Sequence, residues 1–220
     1  MDDFERILAD AGVRVSRRAL DAAYDASGSE LGRIWSTYRD VPVQHHVSTI
    51  LGVAGRDILG QLDAPTMAAL VDAYARPALL VPPAVDPGAR AALGTLSDRG
   101  YALAVVSNTM RTPGTVLRQL LDRFGLLGLF KHTTFSDEVG IRKPAPEIFA
   151  IALRAVDGEA STALHVGDDL VLDVEGARAA GMRVIQVWTT PGQPPVSQAA
   201  DGVIQSLADL PAALARLDDG

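Results

Sequence analysis

The sequence predicts an α/β protein, with a Rossmann-like parallel sheet covered by helices on both faces and an all-helical segment before it. Two observations carry this expectation. Residues 4–80 show helical periodicity only, and beyond residue 88 short continuous apolar runs alternate with helical stretches. Continuous apolar strands belong to parallel sheets buried on both faces, because alternation is needed only where one face meets water. The Pro-rich stretch Val81-Pro82-Pro83-Ala84-Val85-Asp86-Pro87-Gly88 separates the two patterns, so the expected domains are 1–80 and 81–220.

In the first part, Phe4, Ile7, Leu8 and Ala11 keep helical spacing, and Gly12 stands where a C-terminal cap belongs. Ser16 is placed to cap a second helix that carries Leu20, Ala23 and Tyr24 along one face. Further helices are expected over 29–38, 43–51 and 64–74. In the second part, helix 89–99 leads to strand 101–106 and helix 115–124 to strand 132–135. Helix 146–156 precedes strand 163–166, and helix 173–180 precedes strand 184–188. Val203-Ile204 and a helix over 210–217 complete the series.

Composition excludes several function classes. Twenty basic against 27 acidic residues give a net charge of −7, so neither nucleic acid nor an anionic membrane is an expected partner. The absence of cysteine removes disulfides, a thiol nucleophile and thiolate metal sites. No stretch reaches the roughly 18 apolar residues of a membrane span, and the charged start Met1-Asp2-Asp3-Phe4-Glu5-Arg6 has no signal-peptide character. The expected location is the cytoplasm.

Three polar features fall at expected strand ends, where parallel sheets place their ligands. Ser107-Asn108-Thr109 follows strand 101–106, offering a hydroxyl and backbone N–H groups to phosphate oxygens; the plain alternative is a polar turn. Lys143 lies in Arg142-Lys143-Pro144-Ala145-Pro146-Glu147, where Pro144 holds it extended and Pro146 starts the following helix, so that its ammonium can face an anion; the alternative is a solvated loop lysine. Asp168, Asp169 and Asp173 cluster after Gly167 and suit Mg²⁺, which takes one or two carboxylates together with water and substrate phosphate; helix capping is the alternative. His165 reads as a core residue, His45 and His46 lie on different helix faces, and Asp86 reads as the start of a turn.

In this order the motifs resemble the haloacid dehalogenase-like (HAD) superfamily, in its members with a helical cap after the first core strand. Ser107-Asn108 resembles the second motif, Lys143 in Lys-Pro-Ala-Pro-Glu-Ile-Phe the third, and Gly167-Asp168-Asp169 through Asp173 the fourth. The resemblance implies that Ser107 and Asn108 contact phosphoryl oxygens and that Lys143 balances their charge. It also implies that Asp168, with Asp173 in support, holds Mg²⁺. The implied reaction is hydrolysis of small phosphorylated metabolites through an aspartyl-phosphate. Two alternatives are 2-haloacid dehalogenation, which needs no metal, and a non-catalytic binding protein.

The sequence departs from the family at the first motif. No Asp-x-Asp-x-Thr occurs, and Asp2-Asp3 has neither the spacing, the preceding strand nor the following Thr. The resemblance therefore implies a missing central strand between those ending at Val106 and Val166, unpaired edges on either side of it, and a chain that is inactive as written.

Overall fold

Helices α1 (Asp2–Asp10), α2 (Arg17–Trp35), α3 (Val43–Ala54), α4 (Ala64–Ala75) and the single turn α5 (Pro77–Leu80) form the N-terminal part of the computed structural model, which describes residues 1–188 and 197–218. Ser16 caps α2 as expected, its Oγ accepting from the Ala19 N–H at 3.3 Å. Asp63 caps α4 in the same way, accepting from Thr66 at 2.9 Å. The separate helix expected over 29–38 is instead the second half of α2, which runs through Gly28 and Gly32. Leu20, Ala23, Ser27 and Leu31 keep one buried stripe along it. That burial outweighs the roughly 1 kcal/mol that each helical glycine costs. Leu8, Leu20, Val47, Ile50, Leu51 and Leu70, all fully buried, form the centre of this part.

The second part alternates helices with strands. Helix α6 (Ala89–Asp98) leads to β1 (Ala104–Ser107), and α7 (Gly114–Arg123) to β2 (His132–Phe135). The turn α8 (Ser136–Val139) and helix α9 (Pro146–Ala155) precede β3 (Leu164–Gly167). A π-helical turn, Leu170–Glu175, runs into α10 (Gly176–Ala179), followed by β4 (Arg183–Val187), β5 (Gly202–Ile204) and α11 (Leu210–Asp218). The helix expected over 173–180 thus begins earlier and more loosely. The Asp173 and Val174 N–H groups both bond the Asp169 carbonyl, which widens this turn.

All strand pairs are parallel, but they form two sheets: β1 with β2, and β3 with β4 and β5. Among the described residues, no strand pairs with the remaining edge of β1 or of β3. Every residue of these two strands is partly exposed, whereas Val184, Ile185 and Gln186 of β4 are buried. The same two helical layers nevertheless cover both sheets. On one face, Leu96 of α6 and Leu210 and Leu214 of α11 pack with Ile185, Ile204, Leu164, Val166 and Leu103. On the other, Ile148 and Phe149 of α9 and Ala177 of α10 pack with Val184 and with Val106 of β1.

Asp86 begins a turn, as its place before a proline suggests. It accepts from the Gly88 N–H at 2.7 Å and from Ser206 and Leu207, tying the Pro-rich stretch to the start of the C-terminal helix. Among the described residues, no helix is long and apolar enough to cross a membrane.

Phe149, 1% exposed, is the largest side chain in the cluster beneath β3 and meets the His165 ring edge-on at 5.1 Å. Its replacement by Ala is expected to cost about 3–5 kcal/mol in urea unfolding. A loss below about 1 kcal/mol, the range of surface substitutions, would show that this cluster does not hold the sheet.

Candidate active site

Lys143 and Asp173 meet at the carboxyl ends of β1 and β3, and four local features bring them there. The Asn108 side chain, one residue beyond β1, clips the Lys143 backbone at both ends: Nδ2 donates to its carbonyl at 3.0 Å, and Oδ1 accepts from its N–H at 2.7 Å. The Lys143–Pro144 peptide is cis, and Pro144 lies against Gly176, where a Cβ would stand 2.9 Å from the proline Cα. The wide turn after Asp169 carries Asp173 back over Gly167, at which any side chain would collide with the Asp173 carboxylate. With that approach open, the Lys143 ammonium donates to Asp173 Oδ1 at 2.5 Å.

Asp173 has further partners. The His165 Nε2 lies 2.8 Å from the same oxygen, and the Asp169 N–H donates to Oδ2 at 3.0 Å. An ionised carboxylate can only accept, so the His165 proton on this side belongs to Nε2. The three side chains are nearly buried, 11% exposed for Lys143, 11% for His165 and 6% for Asp173. Burial by itself would raise the Asp173 pKa. The His165 hydrogen bond and the Lys143 charge together outweigh it and hold the group well below the ordinary carboxylate value of 3.8.

The other expected site residues are placed differently. Ser107 Oγ is half-buried at the end of β1 and donates to the Asn108 carbonyl at 3.3 Å. Both polar atoms of the Asn108 side chain are engaged with the Lys143 backbone. Asp169 is a cap: its Oδ1 accepts from Val171 and Leu172 at 2.9 and 2.7 Å. Asp168 is exposed on the loop. Among the described residues no three His, Asp or Glu side chains converge on a point where a metal could sit. With Asp173 turned to Lys143 and Asp169 to the helix turn, Asp168 is the carboxylate of this cluster that remains open to a cation.

His165 was expected in the core, and its ring does pack on Phe149; its bond to Asp173 was not legible, because nothing in an apolar strand signals which face meets a carboxylate eight residues on. His46 is buried between Trp35 and Tyr74 with no hydrogen-bond partner among the described residues for either ring nitrogen, and burial lowers its pKa. His45 is exposed. Asp2 and Asp3 pair with Arg17 and Arg76 within the helical part.

Comparison with known proteins identifies the family. The family model of the haloacid dehalogenase-like hydrolases matches residues 5–181, and the chain belongs to that family. A glyceraldehyde 3-phosphate phosphatase of Pyrococcus abyssi is 39% identical over 101 residues, 45% of this chain and 40% of the relative. A phosphoglycolate phosphatase of Cupriavidus necator is 37% identical over 133 residues, 59% of this chain and 55% of the relative. The matched segments thus span about half the length of these curated relatives. Among solved structures, a HAD phosphatase from Thermococcus onnurineus superposes with a TM-score of 0.53 at 32% identity, over 59% of this chain and 58% of its own. A 2-haloacid dehalogenase from Pseudomonas syringae superposes with a TM-score of 0.65 over 98% of this chain and 89% of its own. At 21% identity that likeness concerns the fold alone.

Asp173→Asn removes the charge that Lys143 faces in a nearly buried site, and is expected to cost about 3–5 kcal/mol at neutral pH. Because the folded-state pKa is depressed, the stabilisation is fully present above the unfolded value near 3.8 and is lost progressively as pH falls from there toward the folded-state value. Urea titrations from pH 7 to pH 3 should therefore show the gap between wild type and variant narrowing below about pH 4. A gap that does not change with pH would contradict the ionised pairing.

Proposed function

We propose that the protein is a phosphatase-type member of its family that recognises the phosphoryl group of small phosphorylated metabolites around Lys143. One observation carries the reading: a nearly buried lysine stands where strand ends converge, its backbone clipped by Asn108, the residue that follows Ser107. An ammonium has three donors, and the bond to Asp173 uses one of them. The other two, with the Ser107 hydroxyl and the Asn108 backbone N–H, suit the oxygens of a phosphate dianion. The partly matching relatives named as phosphatases of glyceraldehyde 3-phosphate and of phosphoglycolate support a small, acidic phosphorylated substrate. By the same reading, the helical part covers the site and excludes water from it.

Family chemistry uses an aspartate from Asp-x-Asp-x-Thr, and this sequence contains no such motif. Asp173 is committed to Lys143 and His165, and Asp169 to the turn it caps, so neither is free to attack phosphorus. We infer that the 220-residue chain binds phosphate without turnover. Mg²⁺, which the family resemblance implies, has only the exposed Asp168 as an uncommitted carboxylate on this loop.

Inorganic phosphate is expected to bind the chain, and Lys143→Met to weaken that binding about tenfold, the 1.4 kcal/mol of one charge-assisted contact. Hydrolysis of phosphorylated sugars and acids in the presence of Mg²⁺ should stay at background. Phosphate binding that is indifferent to Lys143 would sink the site assignment. Turnover that depends on Lys143 would sink the inference of an inert chain.

A further inference from the structure

The carboxylate of Asp40 comes from the helical part but is buried against the α/β part, its side chain 1% exposed. Trp35 Nε1 and the Val41 N–H donate to its Oδ1 at 3.0 and 2.9 Å. Its Oδ2 faces the other part of the molecule: Arg142 donates at 2.6 Å, Ser136 Oγ at 2.5 Å and Thr109 Oγ1 at 3.5 Å. The same Arg142 nitrogen also donates to the Thr109 carbonyl at 2.7 Å, and its guanidinium stacks on Trp35 with 4.6 Å to the ring centroid. Around this pair the backbones meet. The Asp40 N–H bonds the Gly140 carbonyl, the Arg142 N–H bonds the Tyr38 carbonyl, and Arg39 and Ile141 form an antiparallel bridge between them.

The positions of these partners are informative. Thr109 directly follows Asn108, and Arg142 directly precedes Lys143. Each of the two loops that carry the candidate site is therefore anchored, one residue away, on a carboxylate that belongs to the helical part. A charge-assisted bond to a fully buried carboxylate is strong and directional, so a shift of Asp40 must be followed by both loops or must leave the buried Arg142 without a counter-charge.

We propose that Asp40 is a positioning residue for the Lys143 site, setting the height of the Ser107–Thr109 and Arg142–Lys143 loops only while the helical part is docked. Asp40 touches neither Lys143 nor a bound anion; it acts through Thr109 and Arg142. The consequence for phosphate rests on the reading of Lys143 given above, whereas the coupling of the loops does not.

Hydrogen exchange by mass spectrometry on the whole chain separates the two. In Asp40→Asn, amides of residues 107–111 and 140–145 should exchange at least about tenfold faster than in wild type, the factor that 1.4 kcal/mol of opening free energy produces. Those of α6 should be unchanged. Unchanged loops, or an acceleration shared equally by α6, would overturn the proposal in favour of a merely structural ion pair. Trp35→Phe removes the donor that holds Asp40 Oδ1 from within the helical part and keeps the Asp40–Arg142 pair; it must reproduce the same pattern at smaller amplitude, and decides the matter should Asp40→Asn not fold. Titration with inorganic phosphate provides the second reading. Weaker binding in Asp40→Asn with Lys143 intact supports positioning, and full affinity in spite of loosened loops overturns it. If wild type binds no phosphate, the phosphoryl reading alone fails, and the exchange pattern still decides the coupling.

Discussion

A carboxylate removed from water has to be matched by donors, and in the α/β part that requirement falls on Asp173. Lys143, His165 and the Asp169 N–H meet it. Each needs something of the chain: a bare Gly167, so that the carboxylate can lie against the end of β3; a wide turn after Asp169, which aims Asp173 back toward the sheet; and a Lys143 loop clipped by Asn108. Even Gly176 serves this end, leaving room for Pro144 to bring Lys143 in.

The pair also has a role in the fold. The β1–β2 and β3–β4–β5 sheets share no ladder among the described residues, although the same helices cover both. At their carboxyl ends the connection runs from Asn108 through the Lys143 loop to Asp173, by side-chain bonds alone. Strands joined in this way keep unpaired backbone edges, in keeping with the partial exposure of every residue in β1 and β3. An anion at this site would share Lys143 with Asp173, so recognition and sheet geometry draw on the same ammonium. The helical part enters the same arrangement from the far side, through Asp40 and Arg142.

Much of this was legible in the sequence. The order of helices and apolar runs placed each strand of the second part to within three residues, because most of these strands are rich in apolar residues and their neighbouring helices are amphipathic. Lys143 stood out because two prolines fix its loop. Other features depend on tertiary contact. A separate helix was expected to start at residue 29, just after Gly28, and only the buried stripe of α2 explains why that helix runs on unbroken. His165 looked like core, and Asp173 like a metal ligand, because no local pattern tells which side chain a carboxylate will face after a wide turn. Asp40, 102 residues before Arg142, carried no signal at all.

The account depends on the Lys143–Asp173 pair acting as a unit, and a double-mutant cycle measures that directly. Urea unfolding of wild type, Lys143→Met, Asp173→Asn and the double variant at neutral pH yields the coupling energy between the two positions. A coupling of about 2 kcal/mol or more, with the double variant more stable than the sum of the single losses allows, is the predicted result. Additive losses, within about 0.5 kcal/mol, would mean that the two residues are neighbours rather than partners, and the site described here would have no centre.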